Sequence, residues 1–133
     1  MEFLLDTNIC SAHIRRPAGL AARFFQYNGR LFLSSIALAE LYAGAYRLAD
    51  PSRLLAAIDD LKRDLVVVPF DENAAIVFGK IRGNLSQQGL VVSPVDLMIA
   101  AIAVAREMTL VTHNVADFRY VPSLRIEDWL SDA

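Results

Sequence analysis

Four short apolar runs divide the chain: Phe3 to Leu5, Leu31 to Leu33, Leu65 to Val68 and Leu110 to Thr112. Runs this short and this continuously apolar suit strands buried on both faces, the condition of a parallel sheet. Parallel neighbours need a crossover of a dozen or more residues, usually a helix, and helical patterns fill the intervals between the runs. The alternation predicts an α/β fold, a three-layer α/β/α arrangement around a central, mainly parallel sheet. In such sheets ligands bind just beyond the carboxyl ends of the strands, so the residues that end each run carry the functional question. The first run ends in Asp6-Thr7-Asn8. A single Asp there also serves as an ordinary helix cap, and only further carboxylates at the same edge would raise it above that role.

The intervals read as follows. Thr7 to His13 forms a short helix, interrupted at Arg15-Arg16-Pro17 because a residue before proline avoids helical backbone. Pro17 opens a second helix to about Tyr27, and Asn28-Gly29 marks a turn. Ser34 and Ser35 are good caps for a helix from Ile36 to about Leu48, with Glu40 in its second turn. After Asp50-Pro51-Ser52, Leu54, Ile58, Leu61 and Leu65 recur at helical spacing. Asp71 caps a helix ended by Gly89, and Ser93-Pro94 is a strong start for an almost wholly apolar helix from Val95 to Glu107. His113 to Phe118 follows the fourth run, and a short strand near Leu124 to Ile126 precedes Glu127-Asp128-Trp129.

With 133 residues, no internal repeat and no linker-like stretch, the chain reads as one domain, residues 1–133. The longest apolar run, Leu97 to Ala105, is far short of the ~20 residues of a membrane span, and no basic stretch precedes the first apolar run as in a signal peptide. The single cysteine, Cys10, forms no internal disulfide and suits a small buried hydrophobe, even though His13 shares its helix face. A cytoplasmic location, with no membrane contact, is expected. The net charge of −2 gives no whole-chain case for nucleic acid. Arg15, Arg16, Arg23 and Arg30, set against only Glu2 and Asp6 in the first thirty residues, leave a local basic surface open.

Three acids stand among apolar neighbours, where an unpaired carboxylate is costly. Asp6 follows the first strand, Glu40 lies in the helix after the second, and Asp96 opens the apolar helix. Each alone has an ordinary explanation, as a cap, an arginine partner or an acid answering a helix dipole. Brought together at one sheet edge they would raise one another's pKa unless a cation joined them. Oxygen donors of this kind suit Mg²⁺ or Mn²⁺, and such a centre can drive phosphodiester hydrolysis.

Four stretches in order then carry a resemblance: Leu4-Leu5-Asp6-Thr7-Asn8, Ser34-Ser35-Ile36 through Ala39-Glu40-Leu41, Asp96 through Ala101, and Leu110 through Asn114 with Asp117-Phe118. The chain resembles the PIN-domain ribonucleases, and among them the VapC-type toxins of toxin–antitoxin pairs. The resemblance implies a Mg²⁺-dependent endoribonuclease that cuts a structured RNA, a tRNA or ribosomal RNA. Asp6, Glu40 and Asp96 match the family's metal-binding acids. Many relatives have Asp where Asn114 stands, so Asn114 and Asp117 compete for a fourth, supporting place, with Thr7 and Thr112 as positioning hydroxyls. The resemblance also implies a homodimer and a cognate antitoxin. The apolar hairpin around residues 36–63, through Tyr42, Tyr46 and Leu55, is the surface expected to receive an antitoxin helix. Arg15, Arg16 and Arg23 are the expected RNA contacts.

Rival readings differ in what they need. A phosphorelay receiver would use Asp71 as acceptor and a Lys after Thr112, where none follows. A dehalogenase-like phosphatase would need Asp two residues after Asp6, where Asn8 stands. A non-catalytic binding module on the same scaffold is the remaining alternative.

Overall fold

The structure, a computed structural model, describes residues 1–130. Its elements run β1 (Phe3–Leu5), α1 (Thr7–Arg15), α2 (Pro17–Gln26), β2 (Leu31–Ser34), α3 (Ser35–Tyr46), α4 (Ser52–Asp64), β3 (Val66–Val68), α5 (Glu72–Gln87), α6 (Pro94–Ala105), β4 (Thr109–Val111), α7 (Val115–Phe118) and β5 (Ile126–Glu127). The strands form one sheet in the order β3-β2-β1-β4-β5, and every pairing is parallel. Successive side chains of a strand point to opposite faces. Phe3, Leu4 and Leu5 are all buried, as are Thr109, Leu110 and Val111, so helices cover both faces and the three-layer expectation holds.

The strand order decides where a site can lie. From β1 the chain steps outward to β2 and β3, then returns to the other side of β1 with β4. That reversal opens a crevice at the carboxyl ends of β1 and β4. The register Leu5↔Val111 sets Asp6 and Thr112 side by side at its floor. The helix α6 lies deep because its face is almost wholly apolar: Leu97, Ile99, Ala100, Ile102 and Ala103 are fully covered. Its first turn, with Asp96, is thereby fixed against the core while its cap reaches the edge. Phe3, Tyr27 and Trp129 gather at the opposite end, with ring centroids 4.5 to 5.6 Å apart.

Some boundaries differ from those expected. Ser34 alone caps α3, its Oγ accepting from the Ala37 amide at 2.9 Å, and Ser35 is already helical. The last strand lies at Ile126–Glu127, later than Leu124 to Ile126, because it pairs with Leu110 and Val111. The third run reads as a β-branched strand, and it forms the edge strand β3, with Val66 and Val67 exposed and only Val68 buried. An apolar run does not reveal whether its strand is central, since edge and inner strands share the same β-branched composition. Gly89 ends α5 with φ of 71°, the left-handed conformation that makes glycine the usual residue there. Among the described residues no helix is long and apolar enough to cross a membrane.

Candidate active site

Asp6 is both cap and site. Its Oδ1 accepts from the Thr7 amide at 2.8 Å, starting α1. Its Oδ2 accepts from the Thr112 hydroxyl at 2.8 Å, and its own amide donates to the Val111 carbonyl at 2.9 Å. The β1–β4 pairing therefore runs directly into the carboxylate, and both Asp6 and Thr112 are buried. Asn8 ties the same corner: its Nδ2 donates to Thr112 Oγ1 at 3.4 Å, and its Oδ1 accepts from the His113 amide at 3.1 Å. Thr112 Oγ1 further accepts the Asn114 amide at 3.1 Å. Asn8 had been read only as part of a motif; its position two residues after Asp6, on the first turn of a capped helix, is the signal that puts its amide over the β4 loop.

The remaining acids come from helices. Glu40, on α3, accepts the Thr7 hydroxyl on Oε1 at 2.6 Å, which links it to the Asp6 cap. Asp96 lies in the first turn of α6, where Ser93 caps the helix by accepting the Asp96 amide at 3.4 Å. Asp117 projects from the single turn of α7, and its amide bonds back to the Asn114 carbonyl at 3.0 Å. Burial raises the pKa of Asp6, opposed by the bonds from Thr112 and Thr7 and reinforced by the charges of Glu40 and Asp117. Burial likewise pushes Asp96 up to about 6, helped by the charges of Asp6, Asp117 and Glu40. The sheet edge thus gathers Asp6, Glu40, Asp96 and Asp117 into one field of like charge. Of the two candidates for the fourth place, Asp117 carries a charge that acts on Asp6 and Asp96, whereas Asn114 contributes backbone bonds to the turn.

Among the described residues no group of three or more His, Cys, Asp or Glu side chains stands close enough together to hold a metal ion. Glu40 lines the groove beside α1, Asp96 and Asp117 line a second recess, and the buried Asp6 feels the charges of Glu40 and Asp117. Hard oxygen donors in a field of like charge, with the Asp6 and Asp96 pKa values raised, fit a divalent cation, and Mg²⁺ commonly takes only one or two protein carboxylates, keeping its other positions for water and substrate phosphate.

The other expected residues are divided. Arg15 lines a groove of about 380 Å³ between α1, α3 and α4 that also includes Thr7 and Glu40, with Thr7 and Arg15 at the two ends of α1. Arg16 borders a separate recess with Leu20 and Leu130. Arg23 lies over Trp129, 5.2 Å from the ring centre, with Glu127 at 3.9 Å, so it serves packing at the far end of α2. The groove is walled by Ile14, Leu41 and Leu54 and rimmed by Arg47. Tyr42, Tyr46 and Leu55 fall outside its lining: Tyr42 accepts from Lys62 Nζ at 3.4 Å, Tyr46 is exposed, and Leu55 is half-buried against the core. Cys10 is fully buried, which pushes its thiol pKa up and leaves it inert. His113 pairs with Asp128 at 3.1 Å, and His13 stacks on Phe24 with ring centres 3.8 Å apart. Asp71, the acceptor a receiver would need, caps α5 and faces Arg106 at 3.7 Å.

Comparison with known proteins identifies the family. A family model described as the PIN domain matches residues 3–124. The tRNA(fMet)-specific endonuclease VapC of Salmonella typhimurium is 40% identical over 130 residues, covering 97% of this chain and 98% of that protein. Ribonuclease VapC2 of Haemophilus influenzae is 38% identical over 131 residues, covering 98% and 99%. Among solved structures, DNA-bound VapBC from Salmonella typhimurium superposes with a TM-score of 0.92 at 40% identity, covering 97% of this chain and 98% of that one. VapBC2 from Rickettsia felis, bound to a fragment of promoter DNA, gives 0.92 at 31% identity, covering 97% and 99%. With the matched stretch spanning all four acids at the sheet edge, the chain belongs to the PIN-domain family, in its VapC branch.

Proposed function

We propose that this protein is a divalent-metal-dependent endoribonuclease toxin that cuts a tRNA and is silenced by a cognate antitoxin. The observation that carries the reading is the meeting of Asp6, Glu40, Asp96 and Asp117 in one field of like charge at the sheet edge, where Glu40 and Asp117 act on Asp6, and Asp6, Asp117 and Glu40 act on Asp96. A tRNA is favoured over a ribosomal RNA because a relative at 40% identity is named as tRNA(fMet)-specific.

Asp6, Asp96 and Glu40 would hold Mg²⁺, with Mn²⁺ as a substitute. When bound, the ion supplies Lewis acidity toward a phosphate oxygen and a nucleophile at neutral pH. The chain's own residues do the rest. Thr112 and the Thr7 amide hold both Asp6 oxygens in fixed directions. The Thr7 hydroxyl orients Glu40. Asp117, on the exposed side of the crevice, accepts the proton of the attacking water, while the oxygen released from phosphorus is protonated from solvent. No covalent intermediate is formed, and neither histidine acts as base.

The groove between α1, α3 and α4 suits an antitoxin helix, because its walls are apolar and its lining includes Glu40 and Thr7. A basic side chain following that helix would meet the acids and displace the cation. Apolar surface outside the groove, at Val66, Val67 and Ile76, supports a homodimer through a separate face. The decisive experiment incubates purified protein with a tRNA(fMet) transcript, with Mg²⁺ and with EDTA. Cleavage that requires the cation and is lost in Asp6→Asn is expected; cleavage indifferent to both would overturn the reading.

A further inference from the structure

A second recess opens on the far side of the acids from the antitoxin groove. Its cavity is about 280 Å³, and its lining includes Leu90, Val91, Tyr120, Ser93, Asp96 and Asp117. The apolar walls are unusually open to solvent: Val91 is 91% exposed and Tyr120 49%. The Arg119 guanidinium lies over the Tyr120 ring, 4.9 Å from its centre, and its Nη2 donates to the Tyr120 hydroxyl at 3.0 Å. The ring is therefore held by a cation that itself faces solvent. Nothing in the catalytic scheme above uses Arg119 or Tyr120.

We infer that this recess is a base-binding subsite, which takes the unstacked base of a nucleotide next to the scissile phosphate. The inference rests on the proposed RNA cleavage and adds where the substrate strand is gripped. Three observations carry it. The recess is continuous with the hydrolytic centre, since Asp96 and Asp117 belong to both. Its volume falls just under the roughly 300–1,000 Å³ of pockets for drug-sized ligands, which suits a single base and excludes a duplex. Its chemistry joins an aromatic ring and aliphatic walls to an adjacent guanidinium, the pairing that holds single-stranded nucleic acid by stacking while the cation meets the backbone.

The test begins by mapping the cleaved bond in the tRNA(fMet) transcript with wild-type protein in Mg²⁺. Failure of wild type to cleave would sink the proposed function and is thereby separated from failure of the subsite. Transcripts with a single abasic nucleotide on either side of the cleaved bond are then assayed against wild type, Tyr120→Ala and Tyr120→Phe. Loss of one stacked base is expected to raise KM about tenfold or more, with kcat changed little. Tyr120→Ala should raise KM for intact RNA by a similar factor, and Tyr120→Phe should stay near wild type. The effects of Tyr120→Ala and of the critical abasic nucleotide should not multiply, because each removes the same contact. Arg119→Gln should reduce the salt dependence of RNA binding. Multiplying effects at every abasic position, or an unchanged KM in Tyr120→Ala, would overturn the subsite. So would sedimentation showing that Tyr120→Ala turns a dimer into monomers, since the recess would then be covered by a second copy.

Discussion

The acidic edge is built in two different ways. Asp6 sits on the sheet, with both carboxylate oxygens bonded and almost no solvent contact. Glu40, Asp96 and Asp117 sit on helix turns around it, half-buried or exposed, with fewer fixed partners. The sheet positions Asp6 through backbone pairing that cannot slip without turning every side chain to the opposite face. The helices position the others only through the packing of α3, α6 and α7. One acid is thus a rigid post and the rest an adjustable rim, an arrangement suited to a charged substrate that must enter and leave. Removing the post should therefore damage chemistry most, and changing the rim should tune it.

The largest effect belongs to Asp6→Asn. The proposed cation centre would supply several kcal/mol of transition-state stabilisation, so the loss in kcat/KM should be about a thousandfold at 1.36 kcal/mol per decade. Asp117→Asn should cost less, because that side chain is exposed on a single helical turn. Steady-state cleavage of the tRNA(fMet) transcript measures both. An Asp117→Asn loss equal to or larger than that of Asp6→Asn would invert the division between post and rim.

Next come the two threonines, which offer the same hydroxyl to the two regions. Thr112 is fully buried and its Oγ1 serves Asp6, Asn8 and the Asn114 amide. Thr112→Val should cost about 1–3 kcal/mol of folding stability, because it leaves buried polar groups unsatisfied. It should also lower cleavage about 10- to 100-fold, the usual effect of losing a partner that orients a metal-binding residue. Thr7→Val removes only the more open bond to Glu40, so about 0.5–1 kcal/mol is expected. Chemical denaturation and cleavage rates check the contrast, and equal losses in the two variants would remove it.

The difference between post and rim also explains what could be read from sequence. Asp6 was legible because a strand end is a fixed point: a short apolar run stops, and the next residue must stand at the edge. Glu40 and Asp96 were legible as acids stranded in apolar helices. The depth of each was not, since Glu40 proves exposed although its neighbours are apolar. Asn8 escaped assignment because its partners lie more than a hundred residues away, on the β4 loop. Arg23 is grouped with Arg15 by proximity in sequence, whereas in the fold α2 sets it over Trp129 and beside Glu127. The hairpin is legible as an apolar surface, while the groove beside it is lined by Leu41 and Leu54 rather than by Tyr42, Tyr46 and Leu55. Spacing along α3 and α4 does not show that α1 supplies the third wall, with Ile14 and Arg15.

The smallest expected effect is a dependence of metal-free stability on pH, and it isolates the rim. Burial and the charges of Asp6, Asp117 and Glu40 raise the Asp96 carboxyl from an ordinary 3.8 to about 6 in the folded protein. Between those two values the folded state binds more protons than the unfolded state, so stability falls as pH rises through this window. The contribution is most favourable below pH 3.8 and reaches its lower plateau above about 6. Asp6 acts in the same direction, since its pKa is also raised. Asp96 is half-buried, so solvent screens the repulsion and the change in Tm should be only a few degrees. In EDTA, wild type should melt lower at pH 7 than at pH 5. Asp96→Asn should melt higher than wild type at pH 7, with a flatter profile, because the amide carries no charge to repel. Mg²⁺ at pH 7 should raise the Tm of wild type more than that of the variant, since a cation that binds only the folded state stabilises it by mass action. Scanning calorimetry across pH, with and without Mg²⁺, resolves both effects. Parallel profiles for the two proteins would mean that the acids at this edge do not repel one another through Asp96, and that the rim is electrostatically separate from the post.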